Sequence, residues 1–280
     1  MKRSLKRFVK RSILLKYVLT DLPWVTVVDF ISPNKLVQEI TPAVYQTWES
    51  NDFGRRHAKE INKFRALNPG LNFYLYNKEQ RDAYMVKSWG NRPIYLAYKN
   101  AKFGQIKADI FRYCIVFEFG GYYFDISKGC SVPLNTLHSP SSIGLLANES
   151  NDRKIPVSPE LLEIYSEPKK LFVQWAFGFA PQNQILGTAI KLIEENIDSF
   201  QNKEFKNPSA AILDFSATHL FTRAVDEYAL VHGLNKVSQS GIDFNHHGIF
   251  SLNGSSARYL QVPSYKLARA SSLIKADDLT

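Results

Sequence analysis

Strand-like and helix-like segments alternate along this chain, and the alternation restricts the fold more than any other feature of the sequence. Strands are predicted at Val44–Trp48, Asn72–Tyr76, Tyr122–Ile126, Ser142–Ala147 and Phe172–Phe179. Helices are predicted at Asp52–Leu67, Lys78–Trp89, Ile94–Lys102, Gly104–Phe119, Gln184–Ile197 and Ser209–Val231. This order indicates an α/β layered fold with a largely parallel sheet. The stretch Asn148–Lys170, rich in Pro, Ser and charge, is predicted to be an active-site loop or a small insertion.

The positive charge of the chain is concentrated at its beginning. The formal net charge is +9, and seven Lys and Arg residues precede the first acid, Asp21. The rest of the chain contains the other 28 of the 35 basic residues and all 26 Asp and Glu residues. The body is therefore nearly neutral and has no broad basic face, so we expect no nucleic-acid partner.

Residues Met1–Leu19 are predicted to form a basic amphipathic helix. At about 100° per residue, apolar side chains fall on one side of it and basic ones on the other. Such a helix suits an anionic membrane surface; the alternative is a solvated helix packed on the body, or a frayed terminus. We therefore divide the chain into an N-terminal arm, residues 1–38, and one domain, residues 39–280.

No early stretch is apolar enough to cross a membrane or to act as a cleavable signal. The most apolar one, Ile13–Ile31, is interrupted by charged residues and Pro23, whereas a spanning helix needs about 20 mostly apolar residues. Cys114 and Cys130 have neither C-x-x-C nor zinc-site spacing, as is typical of free thiols in a reducing cytosol. We expect a cytoplasmic protein, peripheral at the inner face of the cell membrane.

A helix and the strand after it carry the charged residues of greatest chemical interest. Asp109 and Arg112 are three residues apart in the helix Gly104–Phe119, so they share a face. Gly120-Gly121 then reverses the chain into a strand that ends near Asp125, and ligands of α/β folds bind at the carboxyl ends of strands. A carboxylate there can bind a cation or sugar hydroxyls, and Arg112 can hold a phosphate. An ordinary helix ion pair and a strand-end acid are the alternative.

Taken together, three stretches resemble the motif pattern of the family-thirty-two glycosyltransferases. They are Thr41-Pro42-Ala43-Val44-Tyr45-Gln46-Thr47-Trp48, Lys107-Ala108-Asp109-Ile110-Phe111-Arg112-Tyr113, and Gly120-Gly121-Tyr122-Tyr123-Phe124-Asp125-Ile126-Ser127. That family includes yeast-type mannosyltransferases and many bacterial capsule and lipopolysaccharide transferases, and the catalytic domains of clostridial glucosylating toxins share the arrangement. The resemblance covers roughly Ile40–Phe179 and continues more weakly through Gln184–Val225.

The resemblance implies both a fold and a reaction. The fold is GT-A, a Rossmann-like mixed sheet with flanking helices that binds a nucleotide sugar. The reaction is the retaining transfer of a sugar from a nucleotide-sugar donor to an oligosaccharide or lipid-linked glycan acceptor. The biological setting implied is the synthesis of a surface polysaccharide, capsule or lipopolysaccharide.

The resemblance also assigns roles to residues. Asp125, Arg112 and Asp109 are the expected catalytic residues, with Asp109 and Arg112 contacting the donor sugar and its phosphates. Asp125 is the first acid of the D-x-D motif and would touch the ribose, the sugar or a metal ion. The donor site further includes Gln46, Ser127 and Trp48. Trp48 would lie against the donor base, unless it is an ordinary core residue.

Ser127 departs from the family pattern, which has a second Asp at that position. A hydroxyl is a weak ligand for Mg²⁺ or Mn²⁺, which prefer carboxylate oxygen. A divalent cation is still the expected cofactor, with Asp125, Ser127, His246 and His247 as candidate ligands; the two histidines are otherwise surface or core residues of a loop. The departure also motivates the alternative function, a catalytically impaired module that binds a nucleotide sugar or a carbohydrate.

Overall fold

The computed structural model describes residues 22–34, 36–151, 153–201, 203–242, 250–260, 262 and 270–275. The strands in these residues are β1 Val25–Thr26, β2 Ala43–Thr47, β3 Asp52–Phe53, β4 Asn72–Tyr76, β5 Gly121–Phe124, β6 Lys128–Gly129, β7 Gly144–Asn148, β8 Lys154–Ile155, β9 Lys169–Lys170, β10 Ala176–Phe179, β11 Glu204–Phe205, β12 Val237–Ile242, β13 Phe250–Ser251 and β14 Ser271–Ser272. The α-helices are α1 Arg55–Leu67, α2 Lys78–Trp89, α3 Pro93–Asn100, α4 Gly104–Phe119, α5 Gln184–Phe200, α6 Pro208–Phe215 and α7 Thr218–His232. Short 3-10 helices occur at Leu134–Thr136, Pro159–Leu161 and Ser255–Leu260.

A six-stranded mixed sheet in the order β12-β7-β10-β5-β2-β4 forms the centre of the described structure. Strand β2 runs parallel to β4 and β5, and β12 runs parallel to β7. Strand β10 is antiparallel to both of its neighbours, β5 and β7, because the stretch after β7 brings the chain back in the opposite direction. The predicted α/β class and mixed GT-A-type sheet are confirmed; the sheet is less uniformly parallel than alternation alone indicated.

Helices cover both faces of this sheet. Side chains of a strand point alternately to opposite faces, so Tyr123 packs with α4 to α7, whereas Tyr122 and Phe124 pack toward α1. On the first face Tyr113, Phe177 and Phe221 form a run of stacked rings with Tyr123. This packing holds α4, which carries Asp109 and Arg112, against β5, which Asp125 directly follows.

Several predicted elements have the predicted bounds, and others differ for local reasons. Strand β4 and helices α2 and α4 begin and end as predicted. Helix α2 is capped by Asn77 and Gln80, which bond each other's backbone amides. The single helix predicted at Ser209–Val231 is wrong: the chain breaks between Phe215 and Thr218 into α6 and α7.

The described part of the predicted arm, from residue 22, lies against the domain. Strand β1 pairs with β3, and Phe30 forms an antiparallel bridge to Phe73 of β4. The predicted amphipathic helix Met1–Leu19 lies outside the described residues, and the boundary at residue 38 stays a prediction. None of the helices in the described residues is both long and apolar enough to cross a membrane.

Candidate active site

A cavity of about 390 Å³ opens where the parallel strands β2 and β5 end. Thr47 and Trp48 enter it from the end of β2, and the segment Asp125–Lys128 enters it directly after β5. Arg112 reaches it from helix α4. The carboxyl ends of parallel strands are where α/β folds bind ligands, so the predicted site residues meet at the expected edge of the sheet.

Arg112 is the centre of a buried polar network. Only 1% of its side chain is exposed, and its Nη2 lies 3.0 Å from Oδ1 of Asp109 and 3.0 Å from Oδ1 of Asp125. Its Nη1 donates to the backbone oxygen of Gln174 at 3.0 Å and also contacts the side-chain oxygen of that residue. The ring of Tyr123 lies under the guanidinium, with 4.5 Å between the Cζ and the ring centroid. The arginine is thereby held in one orientation, facing the cavity.

Asp109 lies behind Arg112 and is fully buried. Its carboxylate accepts hydrogen bonds from Ser216 at 2.9 Å and from Gln105 at 3.0 Å. Burial raises the pKa of Asp109 above its ordinary value, while Arg112 and Ser216 act in the opposite direction. Asp109 is not among the residues that line the cavity, and its predicted role as a donor ligand stays a prediction.

Asp125 is the partly exposed end of the network. About 31% of its side chain is accessible, and its Oδ1 also accepts a hydrogen bond from the Tyr123 hydroxyl at 3.1 Å. Its backbone amide donates to the oxygen of Trp175 at 2.9 Å. The carboxylate is therefore fixed on one side by Arg112 and Tyr123 and presented to the cavity on the other.

His57 of helix α1 supports the loop that carries the motif. Its Nε2 lies 2.9 Å from the backbone oxygen of Ile126, and because a carbonyl only accepts, Nε2 carries the proton. Burial lowers the pKa of His57 to about 4, against the smaller opposing effect of that hydrogen bond. The imidazole is neutral near pH 7 and fixes the backbone between Asp125 and Ser127.

The described residues offer few ligands for a divalent cation. In that part of the chain no three His, Cys, Asp or Glu side chains cluster in a way that could hold a metal ion. Asp125 supplies one carboxylate and Ser127 a nearly buried hydroxyl. This set fits a Mg²⁺-like ion held by one carboxylate, water and the donor's phosphates, and it does not fit a tight site preformed by protein. His246 and His247 lie outside the described residues.

Trp48 lies at the cavity with Arg258 and Tyr259 against it. The Cζ of Arg258 is 5.1 Å from the Trp48 ring centroid, and the Tyr259 ring meets Trp48 edge-on at 6.0 Å. Gln46, by contrast, is completely buried, does not line the cavity, and has no hydrogen-bond partner on either amide atom within the described structure. The structure thus brings Trp48, Arg112, Asp125 and Ser127 together and leaves Gln46 outside the cavity; their individual roles stay predictions.

Charged residues that sequence analysis did not identify also line the cavity. Arg81, Lys128 and Arg258 add to Arg112, and Glu49 adds to Asp125, so four basic side chains face two acidic ones in the described lining. Arg81 is buried and pairs with Glu49 at 3.0 Å. This balance favours an anionic ligand. The position of Lys128 directly after Ser127 was a usable signal, whereas Arg81 and Arg258 lie in no motif.

Comparison with known proteins finds similarity to glycosyltransferases. Residues 54–143 match the family model described as "Glycosyltransferase sugar-binding region containing DXD motif". The chain is 24% identical over 198 residues to an initiation-specific alpha-1,6-mannosyltransferase of Schizosaccharomyces pombe, covering 68% of this chain and 49% of that protein. It is 25% identical over 169 residues to a mannosyl phosphorylinositol ceramide synthase of Saccharomyces cerevisiae, covering 56% of this chain and 41% of that one.

Among solved structures, one titled PaToxG Glycosyltransferase aligns with a TM-score of 0.49 and 15% identity, covering 83% of this chain and 79% of the other. The chain spans about half the length of the curated relatives it matches.

The matched sugar-binding region contains the network of Asp109, Arg112 and Asp125, and the sheet has the GT-A arrangement. Together they make the chain similar to glycosyltransferases that carry a DXD-motif sugar-binding region. The family model and the mannosyltransferase relatives confirm the resemblance to the family-thirty-two glycosyltransferases that was inferred from the motifs.

Proposed function

We propose that this chain transfers a hexose from a nucleoside-diphosphate sugar to a glycan or lipid-linked acceptor, with the donor bound in the cavity beside Asp125. The observation that carries the proposal is the Arg112–Asp125 ion pair, 3.0 Å long, in the lining of a cavity where four basic side chains outnumber two acidic ones. A nucleoside-diphosphate sugar combines the two groups that such a lining accommodates, an anionic diphosphate and neutral hydroxyls.

In the reaction, the bond between the anomeric carbon and the diphosphate oxygen breaks, a bond to an acceptor hydroxyl oxygen forms, and the proton of that hydroxyl passes to the departing diphosphate or to solvent. Negative charge builds on the leaving diphosphate, and groups oriented in advance toward that charge supply much of the catalysis. Arg112 is held in place by Asp109 and Gln174, so it needs no rearrangement when the charge appears. Asp125 would hold a hydroxyl of the donor. We propose that the anomeric configuration is retained, which the anomeric proton of the product reveals by NMR.

A divalent cation, Mn²⁺ or Mg²⁺, is part of the proposal. When bound, it would neutralise charge on the diphosphate. Asp125 would supply its main protein ligand, with Ser127 as a weak second one and His246 or His247 as further candidates. Because one carboxylate is a sparse set, we propose that the protein binds the cation weakly unless the donor is present.

The relatives guide the choice of sugar. The two curated relatives described above carry mannosyl in their names, so mannose is the donor sugar that we propose first. Surface polysaccharide, capsule or lipopolysaccharide, is the acceptor setting that we propose from the motif resemblance.

We further propose that the protein works at the inner, anionic face of the cell membrane. Seven basic residues precede Asp21, and aliphatic side chains of the following segment remain exposed: 68% for Val28, 61% for Ile31 and 93% for Val37. A basic segment beside exposed aliphatic groups suits a surface that combines anionic headgroups with acyl chains.

A screen of ligands by thermal unfolding tests the donor assignment directly. A ligand that binds only the folded protein raises its melting temperature. We expect a nucleotide hexose to raise the melting temperature, and to raise it more with Mn²⁺ than with a chelator. Ser127 motivates the second candidate, a binding module without turnover; it predicts the same thermal shift but no hydrolysis or transfer of the donor.

A further inference from the structure

Arg258 differs from the other arginines of the cavity in its partners. Arg81 pairs with Glu49 at 3.0 Å, and Arg112 pairs with Asp109 and Asp125 at 3.0 Å. Arg258 has no carboxylate within ion-pair distance in the described part of the chain; it donates to the backbone oxygen of Ser255 and to the Tyr259 hydroxyl, the latter at 2.9 Å. Its Nε is buried and has no hydrogen-bond partner among the described residues.

The guanidinium of Arg258 is oriented by aromatic rings. It lies 5.1 Å from the Trp48 ring centroid and 4.3 Å from that of Tyr259. Guanidinium groups are planar and weakly hydrated, so they stack on aromatic faces while their N–H groups stay available in the plane. Trp48 and Tyr259 therefore hold the charge at the cavity without neutralising it.

The segment that carries Arg258 is attached to the motif loop itself. The amide of Leu252 donates to the backbone oxygen of Ser127 at 2.8 Å. Gly254 then packs against helix α1 with a φ of +79°, and a Cβ there would come within 2.8 Å of the Arg56 side chain. Only glycine fits this turn, which starts the 3-10 helix Ser255–Leu260 and sends Arg258 back toward Asp125.

We infer that Arg258 binds the diphosphate of the donor, and that Trp48 serves as the platform that orients its guanidinium. The inference rests on the proposed function. Arginine recognises phosphate through paired N–H donors, and an arginine without a carboxylate partner has its charge available for an anionic ligand. Arg258 thus places a positive charge beside the loop in which Ser127 replaces the acid that would otherwise help to hold a metal ion.

This role changes what Trp48 can do. The ring face that supports Arg258 is not available to a nucleobase at the same time. Trp48 then acts on the diphosphate through Arg258, as a positioning residue, and the base must stack elsewhere or on the other face of the ring.

Calorimetric titration with a graded series of ligands tests the inference. The probes are UDP and GDP, the matching monophosphates and the matching nucleosides, each in a chelator and in Mn²⁺. The proteins are the parent, Arg258→Gln, Arg258→Lys and, as a control with the same loss of charge, Arg223→Gln. Arg223 is 61% exposed on helix α7 and bonds Glu227 within its own helix.

We expect Arg258→Gln to weaken diphosphate binding at least tenfold, about 1.4 kcal/mol, to weaken monophosphate binding less, and to leave nucleoside binding unchanged. Arg258→Lys should keep part of the diphosphate affinity because it keeps the charge, and Arg223→Gln should match the parent. Unfolding without ligand reports whether each variant folds; if Arg258→Gln does not, the lysine variant carries the comparison.

An equal loss of affinity for all three ligand classes would show that Arg258 only supports the fold. Unchanged diphosphate affinity in Arg258→Gln would likewise overturn the inference. Both results would leave the proposed function intact. If the parent binds no nucleoside diphosphate in either buffer, the proposed donor is wrong and the inference falls with it.

Discussion

The Nη2 of Arg112 lies 3.0 Å from the Oδ1 of Asp125, and this contact joins helix α4 to the loop that follows strand β5. The same nitrogen lies 3.0 Å from Asp109, which is fully buried, so one guanidinium bridges a buried and a partly exposed carboxylate. The partly exposed carboxylate of Asp125 therefore faces the cavity in an orientation that the core determines.

Replacing Asp109 by Asn should destabilise the protein by about 3 kcal/mol, because removing one partner of a buried ion pair leaves charge uncompensated. Asp125 remains beside Arg112, which keeps the loss at the lower end of the range for buried pairs. Urea unfolding measures the difference. Asp198→Asn, at an exposed position of helix α5, is the control and should change stability by less than about 0.5 kcal/mol. Equal stabilities for the two variants would contradict the description of the network.

Acid should unfold the protein partly through His57. Burial lowers its folded-state pKa to about 4, below the ordinary value of 6.5, so the unfolded chain binds more protons between these two values. Stability is then complete above pH 6.5 and falls as the pH drops toward 4, by at most about 3 kcal/mol from this residue. His57→Gln should reduce the fall in the free energy of unfolding between pH 6.5 and 4, whereas His232→Gln, at an exposed position, should leave it unchanged. A parent-like slope in His57→Gln would refute the assignment.

The core of the site could be predicted because its residues lie within one helix, one turn and one strand. Gly120 and Gly121 have φ values of +65° and +111°, and a Cβ on Gly121 would lie 2.6 Å from the backbone oxygen of Ala43. The glycine pair therefore marks both the end of α4 and the start of β5. The meeting of Arg112 with Asp125 follows from that local geometry.

The remaining features of the fold and the site depend on contacts between segments that are distant in the sequence. The break between α6 and α7 has no Gly or Pro; Ser216 bonds Asp109, and the Tyr113 hydroxyl donates to the Ser216 backbone at 2.9 Å. Arg258 reaches the site through a segment that pairs with the motif loop, as in the bond from the Leu252 amide to the Ser127 backbone oxygen. Gln46 lies inside β2 and is buried, whereas Thr47 and Trp48 at the end of that strand line the cavity, and the motif alone did not separate these neighbours.

Ser127→Asp should tighten the binding of Mn²⁺. A second carboxylate beside Asp125 completes the pair that hard cations prefer, so the Mn²⁺ concentration for half-maximal donor turnover should fall. Calorimetric titration of Mn²⁺ in the presence of a nucleoside diphosphate should show the same gain without any reaction. The matched control is Ser131→Asp, the same substitution at an exposed position four residues further along the chain. Full activity of the parent in a chelator would show that no metal ion is needed and would leave the arginines as the charge-stabilising groups.

Reversing the charge of Lys6, Arg7, Lys10 and Arg11 should release the protein from anionic liposomes. Each basic residue near such a surface contributes about 1 kcal/mol, so four reversals remove most of the attraction. The control reverses four exposed lysines of the domain, Lys59, Lys63, Lys87 and Lys191. Equal co-sedimentation of the arm variant and the parent would rule out membrane binding through the arm.

The most direct test of the central claim is donor turnover by the parent and by Asp125→Ala, with a panel of UDP- and GDP-hexoses that includes a mannosyl donor, in Mn²⁺. Asp125 is the one network carboxylate that reaches the cavity in the described structure, so its loss should remove nearly all hydrolysis and transfer while leaving a folded protein. We predict turnover of at least one donor by the parent and almost none by the variant. Equal turnover by both proteins would contradict the assignment of Asp125 to the active site. Absence of turnover with every donor, in the parent and in Ser127→Asp alike, would contradict the transferase function and favour a binding module.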